Sequence, residues 1–231
     1  MKKTFLACSI IFFLCNSSFA NEIDIEKTNS IHSRINKTGT KILNSNKIEK
    51  RVTFTYDENG KKNILKADKT LIKRQVVVYG ESYKNIENDD ELAGYLAREI
   101  SMATRSYDGL GNGWLSSIKI KAAPKKYELV FDKLAVDLMV KAGYNPLGLI
   151  TYIDKTYPQA RQDKISTNNL TSKRLANIYE RIYREYPKFL VNNKYLDNEY
   201  YQNFLLTSVE NRKKVAQKTE NPKEYKGLKY E

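Results

Sequence analysis

The chain has 231 residues, with 40 Lys or Arg against 27 Asp or Glu, which gives a formal net charge of +13 at pH 7. Its two cysteines, Cys8 and Cys15, both lie within the first 20 residues. A disulfide-stapled scaffold and a cysteine-based catalytic or metal site are therefore excluded for the rest of the chain, whose length suits one domain with a sizeable core.

The first 20 residues have the order of a secretory signal peptide. Lys2 and Lys3 precede an apolar run over residues 5–14, and the segment ends in small residues at Ser18 and Ala20. The apolar run is too short to span a bilayer, and no later stretch reaches the required length. We therefore expect cleavage after Ala20, export to the periplasm or the medium, and no transmembrane segment in the mature chain.

The elements predicted beyond the signal peptide are mostly helical. Apolar spacing and helix-boundary residues predict helices over 22–44, from Asp89 or Asp90 onward, over 125–142, after Asn145, over 171–186 and over 199–217. Alternation predicts a strand at 51–56, the apolar run that ends at Gly80 predicts a second strand at 74–79, and glycines predict a loop over 105–124. We expect residues 21–218 to form the domain and residues 219–231 to be a polar, flexible tail.

Residues 91–102, ELAGYLAREISM, stand on the second of these predicted helices. In a His-Glu-x-x-His helix, two imidazoles one turn apart bind one zinc ion, and the glutamate activates the zinc-bound water. Glu99 matches that glutamate, whereas Arg98 and Met102 stand at the histidine positions. Because a guanidinium has no lone pair to donate and a thioether is a poor zinc ligand, the pattern indicates a peptidase-type helix without zinc-binding chemistry.

Around this helix, over about residues 30–190, the sequence resembles the HtpX-like zinc metallopeptidases, family forty-eight of the metallopeptidases. The segments that carry the resemblance are Val77-Val78-Tyr79-Gly80, Asp90-Glu91-Leu92-Ala93, Glu128-Leu129-Val130-Phe131-Asp132, Ala142-Gly143-Tyr144-Asn145-Pro146, and Ser166-Thr167-Asn168 with the downstream Arg174. Together with the predicted elements, the resemblance implies an α+β fold, a mostly helical, zincin-type metallopeptidase-like domain with a small β-sheet beside the motif helix.

Position by position, the resemblance implies a role for four residues that match the family. Glu99 matches the catalytic base and Glu128 the third zinc ligand. Asp132 matches the aspartate beside the site, and Arg174 matches a later arginine. If the site were intact, these four residues would belong to one catalytic centre.

The histidine positions of the family are where this chain departs from it. They hold Arg98, Met102 and Asn168, and the one histidine of the chain, His32, lies far from the motif. A catalytic zinc uses three protein ligands, and Glu128 alone matches one. We therefore expect no bound cofactor and a vestigial site without catalytic activity.

The two carboxylates of the predicted site need a cation if no metal is bound. Glu128 and Asp132 lie four residues apart on one helix face, where their charges would repel. We expect Arg98 to contact one of them in place of the metal, with Met102 partly buried beside them as apolar filler. The alternative is that Arg98 points to solvent. For Glu99, an ion pair is favoured over general-base catalysis.

The favoured function is that of an exported, catalytically inactive homologue that binds polypeptide or regulates a partner protein of the envelope. The strand at 74–79 is either an edge that receives an extended peptide or an internal strand. One alternative function is an active zinc metalloendopeptidase that uses other ligands. A second is a basic envelope-associated protein that binds anionic polymers through its charge. No basic block or nucleic-acid motif is present, so no nucleic-acid partner is expected.

Overall fold

The computed structural model describes residues 25–60, 74–105, 124–158, 170–224 and 230. The predicted signal peptide, residues 106–123 of the predicted loop, and Asn168 lie outside the described residues. Within them the chain is mostly helical and has one two-stranded parallel sheet. The predicted α+β class is confirmed at this level. None of the described helices is both long enough and apolar enough to cross a membrane.

The predicted elements occur in the predicted order, together with two short helices that were not predicted, at Gly80–Tyr83 and Lys188–Val191. The described elements are α1 (residues 25–45), β1 (Thr53–Asp57), β2 (Gln75–Tyr79), α2 (Gly80–Tyr83), α3 (Asp89–Arg105), α4 (Pro124–Lys141), α5 (Leu147–Thr156), α6 (Leu170–Glu185), α7 (Lys188–Val191), α8 (Glu199–Thr207) and α9 (Val209–Glu220). Most predicted ends lie within three residues of these bounds, which is the ordinary spread of helix and strand boundaries.

Helix α3, which carries the motif, lies at the centre of the fold. It packs against α4, α5 and β2. Leu92, Leu96 and Ile100 are fully buried, as their helical spacing predicts. Each such side chain contributes about 1.5–3 kcal/mol through burial, so the apolar face of α3 supplies a large part of the free energy that holds the helix in place.

The small sheet lies beside α3 and precedes it in the chain. Strands β1 and β2 are parallel, with Phe54 opposite Val76 and Tyr56 opposite Val78. Val76 and Val78 are fully buried and Val77 is nearly so. Side chains on both faces of β2 are therefore covered, which explains why the strand is a continuous apolar run rather than an alternating one.

The turn between α4 and α5 has the residues that its geometry requires. Gly143 ends α4 with a φ of +78°, a conformation that favours glycine. The Oδ1 atom of Asn145 accepts a hydrogen bond of 2.9 Å from the backbone N–H of Leu147, so Asn145 caps α5 as predicted. The helix begins at Leu147, one residue after the predicted start at Pro146.

The predicted single helix over 199–217 is wrong. Two helices, α8 and α9, are separated at Ser208, whose hydroxyl donates to the carbonyl of Phe204 at 2.5 Å. The apolar pattern runs across this break, and it also places Val209 on the buried face although Val209 is 40% exposed. The backbone of Ser208 leaves the helical conformation, with φ of −109° and ψ of 14°, and apolar periodicity does not report such a local change.

The structure also departs from the predicted flexible tail. Helix α9 continues to Glu220. Tyr230 is buried and packs with Ala176 and Val215. At this position the tail therefore contributes an aromatic ring to a small apolar cluster between α6 and α9.

Candidate functional site

Helices α3 and α4 bring the predicted site residues together. Arg98 and Met102 are one turn apart on α3, and Glu128 and Asp132 are one turn apart on α4. Residues with this spacing share a helix face. Since the two helices pack against each other, the positions that the resemblance assigns to zinc ligands meet in the structure.

Arg98 is surrounded by carboxylates. Its Nε donates to Oδ1 of Asp132 at 3.1 Å, and its Nη2 donates to Oε2 of Glu128. A third contact joins Nη1 to Oε1 of Glu99 at 3.4 Å. The Arg98 side chain is 16% exposed, Asp132 is fully buried and Glu128 is 28% exposed. The predicted contact of Arg98 with the two α4 carboxylates is confirmed, and its alternative, an arginine in solvent, is excluded.

Arg174 reaches the same cluster from α6. Its Nε and Nη2 donate to the two carboxylate oxygens of Asp132 at 2.7 and 2.9 Å. Its Nε also lies 3.8 Å from Oε2 of Glu128. Burial acts to lower the pKa of Arg174, but the hydrogen bonds and charge of Asp132 outweigh it and raise that pKa. Asp132 is therefore compensated by two guanidinium groups, of which Arg174 makes the bidentate contact.

Met102 fills the apolar side of the cluster. It is 7% exposed and packs against Phe131 and Tyr127, whose rings are stacked with their centroids 6.2 Å apart. The predicted burial of Met102 is confirmed. Phe131 is also buried, so its ring and the Met102 thioether form one apolar contact beside the charged groups.

Glu99 is buried beside two tyrosines that the sequence did not single out. Burial, and after it the charge of Glu99, raise the pKa of Tyr95 well above its ordinary value. Burial raises the pKa of Tyr152 to about 12, and the two rings make an edge-to-face contact at 5.6 Å. Both phenols therefore stay protonated near neutral pH. The i, i+4 spacing of Tyr95 and Glu99 was the only sequence signal for this neighbourhood.

The segment before the motif fixes the start of α3. Oδ1 of Asp90 accepts from the backbone N–H of Asn145 at 2.8 Å, and its Oδ2 accepts from the hydroxyl of Tyr195 at 3.1 Å. Glu91 is fully buried and accepts from the hydroxyl of Thr151 at 3.0 Å and from Nζ of Lys155 at 3.2 Å. These two carboxylates anchor the motif helix to later parts of the chain and lie apart from the Arg98 cluster.

The residues of the Arg98 cluster do not fit zinc. The carboxylate oxygens of Glu128 and Asp132 that face α3 already accept from a guanidinium, which has no lone pair for a metal. Met102 offers only a thioether. Over the described ranges, no three His, Cys, Asp or Glu side chains are grouped so that they could hold a metal ion. His32 lies exposed on α1, with its ring beside the Asn36 amide.

Comparisons of this chain with known protein families, with curated proteins and with solved structures give no match.

Proposed function

We propose that the chain is an exported, catalytically inactive relative of the HtpX-like zinc metallopeptidases, a pseudopeptidase that binds polypeptide without cleaving it or regulates a partner protein. The observation that carries the proposal is the position of Arg98. The guanidinium lies between Glu128, Asp132 and Glu99, where the family resemblance puts a zinc ligand. A fixed positive charge there compensates the carboxylates that a metal would otherwise compensate.

The same geometry argues against peptide hydrolysis. A zinc peptidase needs a metal-bound water of lowered pKa and a glutamate that takes its proton. Here the glutamate at the family position, Glu99, is nearly buried and makes an ion pair with Arg98. A guanidinium polarises by charge and hydrogen bonding but does not bind and acidify water as zinc does. The proposal therefore assigns Glu99 a structural role.

We place polypeptide binding at the small sheet, because β2 adjoins the motif helix. An extended chain recognised by a sheet gains main-chain hydrogen bonds, and side-chain pockets then set its preference. In this proposal the sheet supplies recognition, and the Arg98 cluster keeps α3 and α4 in register without a metal.

The proposal is tested with fluorescently labelled, unfolded casein. The full protein should raise the anisotropy of the label in a saturable way, and prolonged incubation should produce no fragments on a gel. The Glu99→Gln variant should bind equally well. Fragments that vanish when a chelator is added would favour the alternative of an active zinc endopeptidase. If no saturable binding is observed, polypeptide binding is removed from the proposal.

A further inference from the structure

A cleft of about 530 Å³ lies at the opposite end of α3 from the motif, between α1, the first residue of α3 and the turn after α4. Its volume is within the range of about 300–1,000 Å³ that small-molecule sites occupy. The wall formed by α1 carries three basic residues, Arg34, Lys37 and Lys41. The cleft is therefore a positively charged depression distinct from the Arg98 cluster.

One carboxylate faces these three cations. Asp89 lines the cleft and accepts from Nε of Arg34 at 2.8 Å, while Nη1 of Arg34 donates to the hydroxyl of Tyr83 at 2.9 Å. Asp89 thus compensates the Arg34 charge. Among the described residues that line the cleft, Asp89 is the one carboxylate, so the charges of Lys37 and Lys41 are not compensated within this lining.

The two lysines are placed to act on one ligand. Lys37 and Lys41 are four residues apart on α1 and so share a helix face. Nζ of Lys41 lies 4.2 Å from the ring centroid of Tyr144, a contact that orients the ammonium group and leaves its charge in place. The hydroxyls of Ser30 and Ser33 line the same wall, nearer the start of α1.

We propose that this cleft binds a phosphate group, either of a free phosphate or of an anionic lipid headgroup. Two surplus positive charges match a phosphate, and lysine is a common phosphate ligand that acts as a point charge. The site is independent of the proposed pseudopeptidase function, so either proposal can fail without the other.

The test compares two variants that lose the same charge. Lys37→Gln/Lys41→Gln removes the surplus charge of the cleft. Lys188→Gln/Lys213→Gln removes two exposed lysines that do not line it. Inorganic phosphate is titrated into each full-length protein by calorimetry at low salt. The cleft variant should bind phosphate at least about tenfold more weakly than the control variant, and circular dichroism should be unchanged in both.

A second arm separates the two sources of phosphate. Each protein is sedimented with phosphatidylcholine vesicles that contain or lack phosphatidylglycerol. Phosphate binding that is lost only in the cleft variant supports the site with a free phosphate as ligand. If the protein binds only the anionic vesicles, and the cleft variant alone loses that binding, the result supports the site with a lipid headgroup as ligand. Equal weakening in the two variants, an unaffected cleft variant, or no binding of either probe would overturn the proposal.

Discussion

Arg98 and Asp132 are joined by a hydrogen bond of 3.1 Å between Nε and Oδ1, across the interface of α3 and α4. Asp132 is fully buried and also accepts two hydrogen bonds from Arg174. Three helices are thus tied to one carboxylate. A buried charge of this kind is tolerated only while its partners are in place, which makes the energetics of the cluster measurable by removing them.

Replacing Arg174 should destabilise the protein strongly. In Arg174→Ala the buried Asp132 loses its bidentate partner, and we expect the free energy of unfolding to fall by about 3–5 kcal/mol. Arg181 and Asp137 form a similar bidentate pair between the same two helices, at 2.9 Å for both contacts, but their side chains are 33% and 22% exposed. Arg181→Ala should therefore cost only about 0–1 kcal/mol. Urea unfolding measures both, and equal losses would show that burial of Asp132 does not set the cost.

Replacing Arg98 alone should cost less than replacing Arg174. Asp132 keeps its bidentate partner in Arg98→Ala, and Glu128 is partly exposed to water, so we expect a loss of about 1–3 kcal/mol. The double variant Arg98→Ala/Arg174→Ala should lose more than the sum of the single variants, because only then is Asp132 left without either guanidinium. If the loss of unfolding free energy in the double variant equals the sum of the two single losses, the two arginines act separately.

Placing histidines at positions 98 and 102 should create metal binding. In Arg98→His/Met102→His, two imidazoles one turn apart would face Glu128, the set of three ligands that a catalytic zinc uses. Titration with zinc, followed by competition with a chelator, should give one site in this variant. Arg98→Gln/Met102→Leu, which removes the same side chains without adding ligands, should give none. Peptide hydrolysis is not expected in this variant, because Asn168 still stands where the resemblance implies a histidine.

Asp154 should make the protein less stable as pH rises. It is fully buried in α5, its Oδ2 accepts from Asn203 at 2.8 Å, and its Oδ1 has no partner within the described part of the chain. Burial raises its pKa above the ordinary 3.8, so the folded state binds the proton more tightly than the unfolded state. The stability that protonated Asp154 contributes is therefore fully present below its pKa in the unfolded state. It is lost as pH rises through its pKa in the folded state.

Asp154→Asn removes this titration while retaining an oxygen that can accept from Asn203. Urea unfolding at several pH values from about 4 to 7 should show that the free energy of unfolding of the variant increases relative to that of the unmodified protein as pH rises. A difference between the two proteins that stays constant with pH would contradict the assignment.

Local patterns in the sequence predicted most of the fold. The spacing of Leu92, Leu96 and Ile100 predicted α3, and Gly143 predicted the end of α4, because each depends on neighbours within a few residues. The break at Ser208 was missed because the apolar period continues across it, while only the backbone conformation of that one residue changes.

The candidate site depends on contacts between distant parts of the chain. Asp132 meets Arg98 and Arg174, which are 34 and 42 residues away, and no local pattern encodes such pairs. The meeting of Arg98 with Asp132 was predicted only because the family resemblance places their positions together. Because the carboxylate pair of Glu128 and Asp132 needs a cation, Arg98 was then indicated as its partner.

The zinc content of the purified protein tests the central claim most directly. The full protein is incubated with zinc, freed of unbound metal and measured by elemental mass spectrometry, with the Arg98→His/Met102→His variant as the positive control. Since Arg98 has no lone pair to donate and already binds the carboxylates of Glu128 and Asp132, the unmodified protein should hold no stoichiometric zinc, and the variant should hold one zinc per chain. One tightly bound zinc per chain in the unmodified protein, with casein hydrolysis that a chelator abolishes, would contradict the account.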